Sequence, residues 1–294
     1  MMRGVVLSLV IAGGTGSLTA AAYLGQPPPA PKVIEVDKVR DNLFVLKGGG
    51  GNSTLFVTDK GAVIIDAKNP GWGQTLLDKV KTLTDKPVTM LINTHSHGDH
   101  VSGNVEFPAS VDIVTDETTK ANMERMDIFK NNAGKGLPTR TYKGKMSIGR
   151  GKDRMELRYF GRGHTGGDTW VLFPALRVVA AGDMFAFKNI PLADAPWGGS
   201  GVQYWQTLSN AIAGIKNVDS VITGHSTVMT WSDLKEYREF TKDFLDWTRE
   251  QMNAGKTVDQ AAAAYKLPEK YKDYVAPAAR VKNLVQVIYD ELKK

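Results

Sequence analysis

The densest group of reactive side chains is Thr94-His95-Ser96-His97-Gly98-Asp99-His100. Three imidazoles and a carboxylate crowded this closely are poor ordinary packing, because ionisable groups in contact repel or desolvate one another. Imidazole and carboxylate are metal ligands, and zinc, iron and manganese all accept that donor set. His95 and His97 stand two residues apart at the expected end of a strand, a spacing that sends both rings to the same side. Asp99 and His100 follow where the chain turns into a helix, able to face a second ion beside the first.

The other histidines stand in similar settings. His164 follows a strand expected over 155–160, within Gly161-Arg162-Gly163-His164-Thr165-Gly166. That segment satisfies G-x-G-x-x-G, but a strand expected over 169–173 follows where a dinucleotide fold needs a helix, so the nucleotide reading is rejected. His225 and Asp183 each follow a short β-type run and precede a turn. The chain has 5 histidines, all in ligand-like settings, and no cysteine. Disulfides, thiolate nucleophiles and thiolate ligands are therefore excluded.

Strands must carry these residues to one rim. Short β-type segments run over 43–47, 54–58 and 62–66, separated by Gly48-Gly49-Gly50-Gly51 and Asp59-Lys60-Gly61. The glycine run is not a phosphate loop, since no G-K-[ST] follows it. Residues 74–83 have helical spacing, and 88–93 read as a buried strand that delivers the histidine motif. Residues 104–132 read as strand then helix, 178–181 and 220–222 as strands, and 204–215 as a helix. Such alternation predicts an α/β domain with helices packed on sheet faces and a site at the strand ends. From residue 231 onward the chain reads as a helical extension over 231–294 packed on the same domain. Leu234, Tyr237, Phe240, Phe244 and Trp247 recur at helical steps as one core-facing stripe. Gly255 is expected to stop that helix, Thr257 with Gln260 to form a capping box, and 283–292 to close the chain.

The ligand pattern resembles the metallo-β-lactamase-fold superfamily. Its motifs occur in order: Asp66 after a strand, H-x-H-x-D-H from His95 to His100, then His164, Asp183 and His225. The likeness spans residues 33–230 and implies an αββα sandwich of two similar halves, with two zinc ions at one edge between the sheets. It implies one ion held by His95, His97 and His164, a second by Asp99, His100 and His225, and Asp183 bridging them. Asp66 orients ligands through hydrogen bonds in that family; read by position alone, it is equally an aspartate ending a strand at a turn. Many β-lactamases of this fold place cysteine or serine where Asp183 stands. Aspartate there is similar to the glyoxalase II, lactonase and phosphodiesterase members. The implied reaction is hydrolysis of an ester, lactone, thioester or amide bond, β-lactams included, by hydroxide formed on the metal, with Asp99 and Asp183 in the catalytic centre.

Two rivals remain at this level. Mono-iron persulfide dioxygenases of the same fold use fewer of these ligands, and the complete set argues against that oxidoreductase reading. A non-catalytic metal-binding module would not need every ligand. Substrate contacts are expected from loop 69–74 with Trp72 and loop 185–204 with Lys188 and Trp197. The second loop is unusually long, as functional loops often are. Trp197 and Phe187 would wall an apolar pocket and Lys188 would hold a substrate carboxylate; loop packing and a solvated lysine are the plainer reading.

With 42% hydrophobic and 23% charged residues, the composition is that of a soluble globular protein; the resemblance implies a small-molecule substrate. The net charge of +6 is spread along the chain without basic blocks, which does not suggest a nucleic-acid footprint. Arg3, the apolar run 5–12 and Ala20-Ala21-Ala22 read as a signal peptide over 1–22, followed by a Pro-rich spacer over 23–32. The run is too short to remain as a membrane span, and a periplasmic or secreted location is expected.

Overall fold

Alternating side chains along two sheets build the layers. The structure, a computed structural model, describes residues 31–293; the leader expected over 1–22, and the spacer as far as residue 30, lie outside the described residues. The first sheet runs in chain order through β1 (Glu35–Arg40), β2 (Leu43–Lys47), β3 (Ser53–Val57), β4 (Ala62–Ile65), β5 (Val88–Ile92), β6 (Asp112–Asp116) and β7 (Arg140–Tyr142). The second contains β8 (Lys145–Ile148), β9 (Met155–Arg158), β10 (Trp170–Phe173), β11 (Val178–Ala180), β12 (Ser220–Ile222) and β13 (Met229–Thr230), ordered β13-β12-β11-β10-β9-β8.

Period-2 alternation explains the stacking. Leu43 and Val45 of β2 meet Val171 and Phe173 of β10 in the core between the sheets. Phe56 and Phe173 touch edge to face across it, centroids 5.0 Å apart. Leu46, on the opposite face of β2, joins Leu76 and Val80 of helix α1 (Gly73–Lys81). Short helices α2 (Gly98–Val101), α3 (Glu117–Met123) and α4 (Asp127–Lys130) follow β5 and β6. Trp170 and Leu172, on the outer face of β10, are covered by α5 (Tyr204–Gly214), α6 (Trp231–Asn253) and α8 (Ala278–Leu292), with α7 (Val258–Ala264) alongside. The result is an αββα sandwich with a C-terminal helical region. Leu234, Tyr237, Phe240 and Phe244 of α6 are buried in that outer layer, each contributing roughly 1.5–3 kcal/mol relative to exposure. Trp247 is only partly buried against the same layer. The capping box at Thr257 and Gln260 is present and Gly255 is left-handed, at φ 72.

Parallel pairing decides where the site forms. β4 and β5 run parallel, as do β11 and β12, so each pair ends on a common rim. Asn52 ties the rims together: its backbone N–H donates to Gly224 O at 2.6 Å, and its side-chain amide donates to Thr223 O and Ser226 O. Two expectations need correction. β5 ends at Ile92, one residue short of the expected 93, and His95 and His97 lie in the irregular loop beyond it, so strand alternation does not set the direction of their rings. Helix α8 begins at Ala278, ahead of the expected 283. Strand β1 escaped the pattern because it is a charge-lined edge with no fully buried position. No described helix is long and apolar enough to cross a membrane.

Candidate metal centre

Separate segments deliver the cluster. Asp66 follows β4 in a left-handed conformation (φ 64), a strained state that aspartate tolerates better than most residues. The loop after β5 carries His95 and His97, and α2 carries Asp99 and His100. His164 comes from the connection between β9 and β10, Asp183 from the turn after β11, and His225 from the turn after β12. Two glycines are required by close approach. A Cβ on Gly51 would lie 2.2 Å from His100 Cε1, and one on Gly224 would lie 1.8 Å from Asp183 Oδ1.

The residues behind the rings fix which nitrogens are bare. His97 Nε2 lies 2.8 Å from Asp194 Oδ2, a carboxylate that only accepts, so His97 donates there, and in the neutral ring Nδ1 is the lone pair. His164 Nδ1 donates to Leu192 O at 2.8 Å, which leaves Nε2 bare. In the neutral rings these two bare nitrogens face each other at 2.8 Å, a repulsive contact unless a proton or a metal ion is shared between them. Thr94 Oγ1 donates to Asp66 Oδ2 at 2.7 Å and therefore accepts from His95 Nδ1 at 2.9 Å. His95 Nε2 is then left buried with no partner. His100 Nδ1 donates to Asp66 Oδ2 at 2.8 Å, and its Nε2 points at His225 Nε2 and Asp183 Oδ1, each 3.3 Å away. Asp183 Oδ1 is likewise buried without a hydrogen bond.

Potential ligand atoms thus gather as His95, His97 and His164; as His95, His100 and Asp183; and as Asp99, His100 and His225, within 4.8 Å in each group. Orphaned lone pairs and carboxylates are the donor set that fits divalent cations.

Electrostatics separates the rings into two kinds. Burial, aided by His100, holds His95 well below the usual histidine range, and burial pushes His164 down to about 4 despite Asp183. Both are neutral at pH 7, the ligand form. Burial would also lower His100, but Asp183 and Asp66 outweigh it and raise it well above the usual range. His225 is raised to about 9, burial again being overcome, here by Asp183 and Asp99. Burial would raise both acids, yet the rings hold Asp99 down to about 2 and Asp183 well below the usual carboxylate range. A divalent cation competes with those ring protons, so metal uptake releases protons and weakens as pH falls.

A cavity of about 270 Å³ opens on the cluster. His97, Asp99, His164, Asp183 and His225 line it together with Ala186, Phe187, Asn189, Leu192, Tyr237 and Arg280. All seven ligand candidates from the sequence are brought together, with Asp66 behind them. The three expected substrate contacts are not. Lys188 is drawn to Asp233 at 2.8 Å and Glu236 at 3.6 Å on α6, partners its own loop gave no sign of. Trp197 stacks on Arg125, 4.7 Å from its guanidinium carbon. Trp72 packs beside α1 with Lys32 over its ring. Phe187 does reach the cavity. Sequence reasoning missed Thr94, Asp194, Tyr237 and Arg280; only Asp194, an acid inside the long irregular loop, carried any local hint.

The family model described as the metallo-beta-lactamase superfamily matches residues 46–225. The chain is 31% identical over 250 residues to "Metallo-beta-lactamase type 2" of Elizabethkingia meningoseptica, covering 79% of this chain and 91% of that protein. Its fold is similar to that of a metallo-beta-lactamase from Pontibacter korlensis (TM-score 0.61, 21% identity, 71% of this chain, 99% of that one). It is also similar to the inverting sec-alkylsulfatase Pisa1 from Pseudomonas sp. (TM-score 0.69, 17% identity, 88% of this chain, 50% of that one). The second match covers more of the chain than residues 33–230 can supply, so the helical extension takes part in that likeness.

Proposed function

The chain belongs to the metallo-beta-lactamase superfamily and is a metal-dependent hydrolase, and from that premise we propose a dinuclear zinc enzyme that cleaves an ester, lactone, thioester or amide bond. The observation that carries this reading is the pair of bare nitrogens of His97 and His164 facing each other at 2.8 Å, with the buried Nε2 of His95 beside them. When bound, two divalent cations supply Lewis-acid polarisation of the scissile group and lower the pKa of water to about 7. His95, His97 and His164 would hold one ion, Asp99, His100 and His225 the other, and Asp183 would bridge them. Iron and manganese suit the same donors.

The remaining work falls to the chain. Asp66, Thr94, Asp194 and Leu192 O keep the rings of His100, His95, His97 and His164 in their ligand tautomers through the bonds described above. Asp99 stays ionised through neutral pH and lines the cavity, where it can accept a hydrogen bond from the attacking water. Phe187 and Leu192 exclude bulk water from one wall. The names of the curated relatives make β-lactams the first substrates to try. Export from the cytoplasm belongs to the same proposal and rests on residues 1–22 of the sequence.

Metal analysis of the purified protein, coupled to turnover of β-lactams, lactones, thioesters and phosphodiesters, tests the reading. Two zinc ions per chain, with turnover lost to a chelator or to His97→Ala and the chelated enzyme restored by zinc, is the expected result. A single iron without hydrolysis, or full turnover by metal-free protein, would overturn it.

A further inference from the structure

The cavity contains a cation that no ligand role uses. Arg280 lines it, is half-buried, and has no side-chain hydrogen bond or ion pair among the described residues. Its guanidinium is charged at any physiological pH. The acids sharing the cavity are engaged elsewhere: Asp183 with His100 and His225, and Asp99 with His225. Nor does helix stability account for the residue. Arg280 stands in the first turn of α8, where the helix dipole disfavours a cation, and that turn holds no acid.

Asn189 is the second observation. It lines the same cavity, is 2% exposed, and its Oδ1 is buried without a partner. Its side-chain N–H groups make no hydrogen bond among the described residues, so they are available to an acceptor in the cavity. The backbone here is pinned to the segment leading into α8. Asn189 bridges to Val275, Ile190 N donates to Val275 O at 3.1 Å, and Val275 N donates to Lys188 O at 3.0 Å. That short ladder holds Asn189 and the start of α8 in fixed relation.

We infer that Arg280 and Asn189 form a subsite for an anionic group on the substrate, a carboxylate or a sulfate, in the same cavity as the histidine cluster. The inference rests on the hydrolase reading above and names its substrate class. A planar guanidinium fork and an amide donor lining one cavity suit the oxygens of such a group. The small cavity, about 270 Å³, places the anion close to the scissile bond. The C-terminal helical region then supplies specificity to a centre built by the sandwich, the role that Lys188 was expected to fill.

The test uses the zinc-loaded full chain as wild type, Arg280→Ala and Arg280→Lys. Two esters are compared, mono-p-nitrophenyl glutarate and neutral p-nitrophenyl butyrate, and binding of glutarate and of propyl sulfate is measured by calorimetry. In Arg280→Ala the kcat/KM ratio of anionic to neutral ester should fall about tenfold to a hundredfold, mainly through KM, with partial recovery in Arg280→Lys. Glutarate or propyl sulfate binding should weaken by a similar factor, and the anion that responds more strongly identifies the group. Ratio and binding within twofold of wild type would overturn the subsite while leaving the hydrolase reading intact. Arg280-dependent anion binding without turnover of any ester, lactone, thioester or β-lactam would do the reverse.

Discussion

Asp66→Asn should disable the centre with almost no change of shape. Asp66 Oδ1 accepts the Thr94 backbone N–H at 2.8 Å, while Oδ2 accepts Thr94 Oγ1–H at 2.7 Å and His100 Nδ1–H at 2.8 Å. In Asp66→Asn one of those oxygens becomes an NH₂ group. If the amide nitrogen faces His100, Nδ1 must become the acceptor and the proton moves to Nε2, the atom aimed at Asp183 and His225. A ligand lone pair is then lost. If the amide turns the other way, its N–H groups oppose the Thr94 N–H, and a buried donor left unpaired costs about 1–3 kcal/mol. Either arrangement should weaken zinc binding about 10–100-fold, the usual effect of removing a partner behind a ligand, equivalent to about 1.4–2.7 kcal/mol. Competition against a chromophoric chelator reads the affinity, and metal analysis after dialysis reads the stoichiometry. Asp66→Ala, which leaves all three buried donors unpaired, should add a stability loss of about 3 kcal/mol or more in denaturant melts. Zinc affinity in Asp66→Asn within threefold of wild type would refute the tautomer argument.

Two further perturbations probe the scaffold. Gly224→Ala places a methyl group 1.8 Å from Asp183 Oδ1; displacing the carboxylate should reduce bound zinc and cost about 1–3 kcal/mol from overpacking, and a variant retaining full zinc content would contradict the close-approach argument. Lys68 is fully buried, donating to Leu46 O at 2.5 Å and Gly51 O at 2.7 Å, and burial pushes its pKa down to about 7 against the opposing pull of Asp66 and Asp99. Between that value and its ordinary 10.5 the unfolded chain holds a proton that the native chain lacks. Stability of the zinc-free protein should therefore rise with pH across that window, by up to about 1.4 kcal/mol per unit from this residue, and that contribution is lost as pH falls through about 7. Lys68→Met should flatten the rise in urea melts at pH 7, 8 and 9; parallel slopes in the two proteins would count against it.

Local chemistry was legible in the chain. The H-x-H-x-D-H run is legible as metal donors crowded within six residues. The capping box at Thr257 and Gln260 and the apolar stripe of α6 recur at steps of three or four residues, and backbone period sets the geometry of both before any distant contact forms. The family pattern added the pairing of His164, Asp183 and His225 with that run, and parallel pairing of β4 with β5 and of β11 with β12 brings all of them to one edge. What spacing could not reveal depends on partners far along the chain. Lys188 looked free because Asp233 and Glu236 lie on a later helix, and only packing of α6 against the second sheet brings those acids within reach. Asp194 became the partner of His97 by loop path alone. Arg280 reached the cavity because α8 buries Leu284 and Val285 in the same outer layer as Tyr237. Periodicity reports which face of a helix is buried; against what, and beside which charge, is decided only when the layers close.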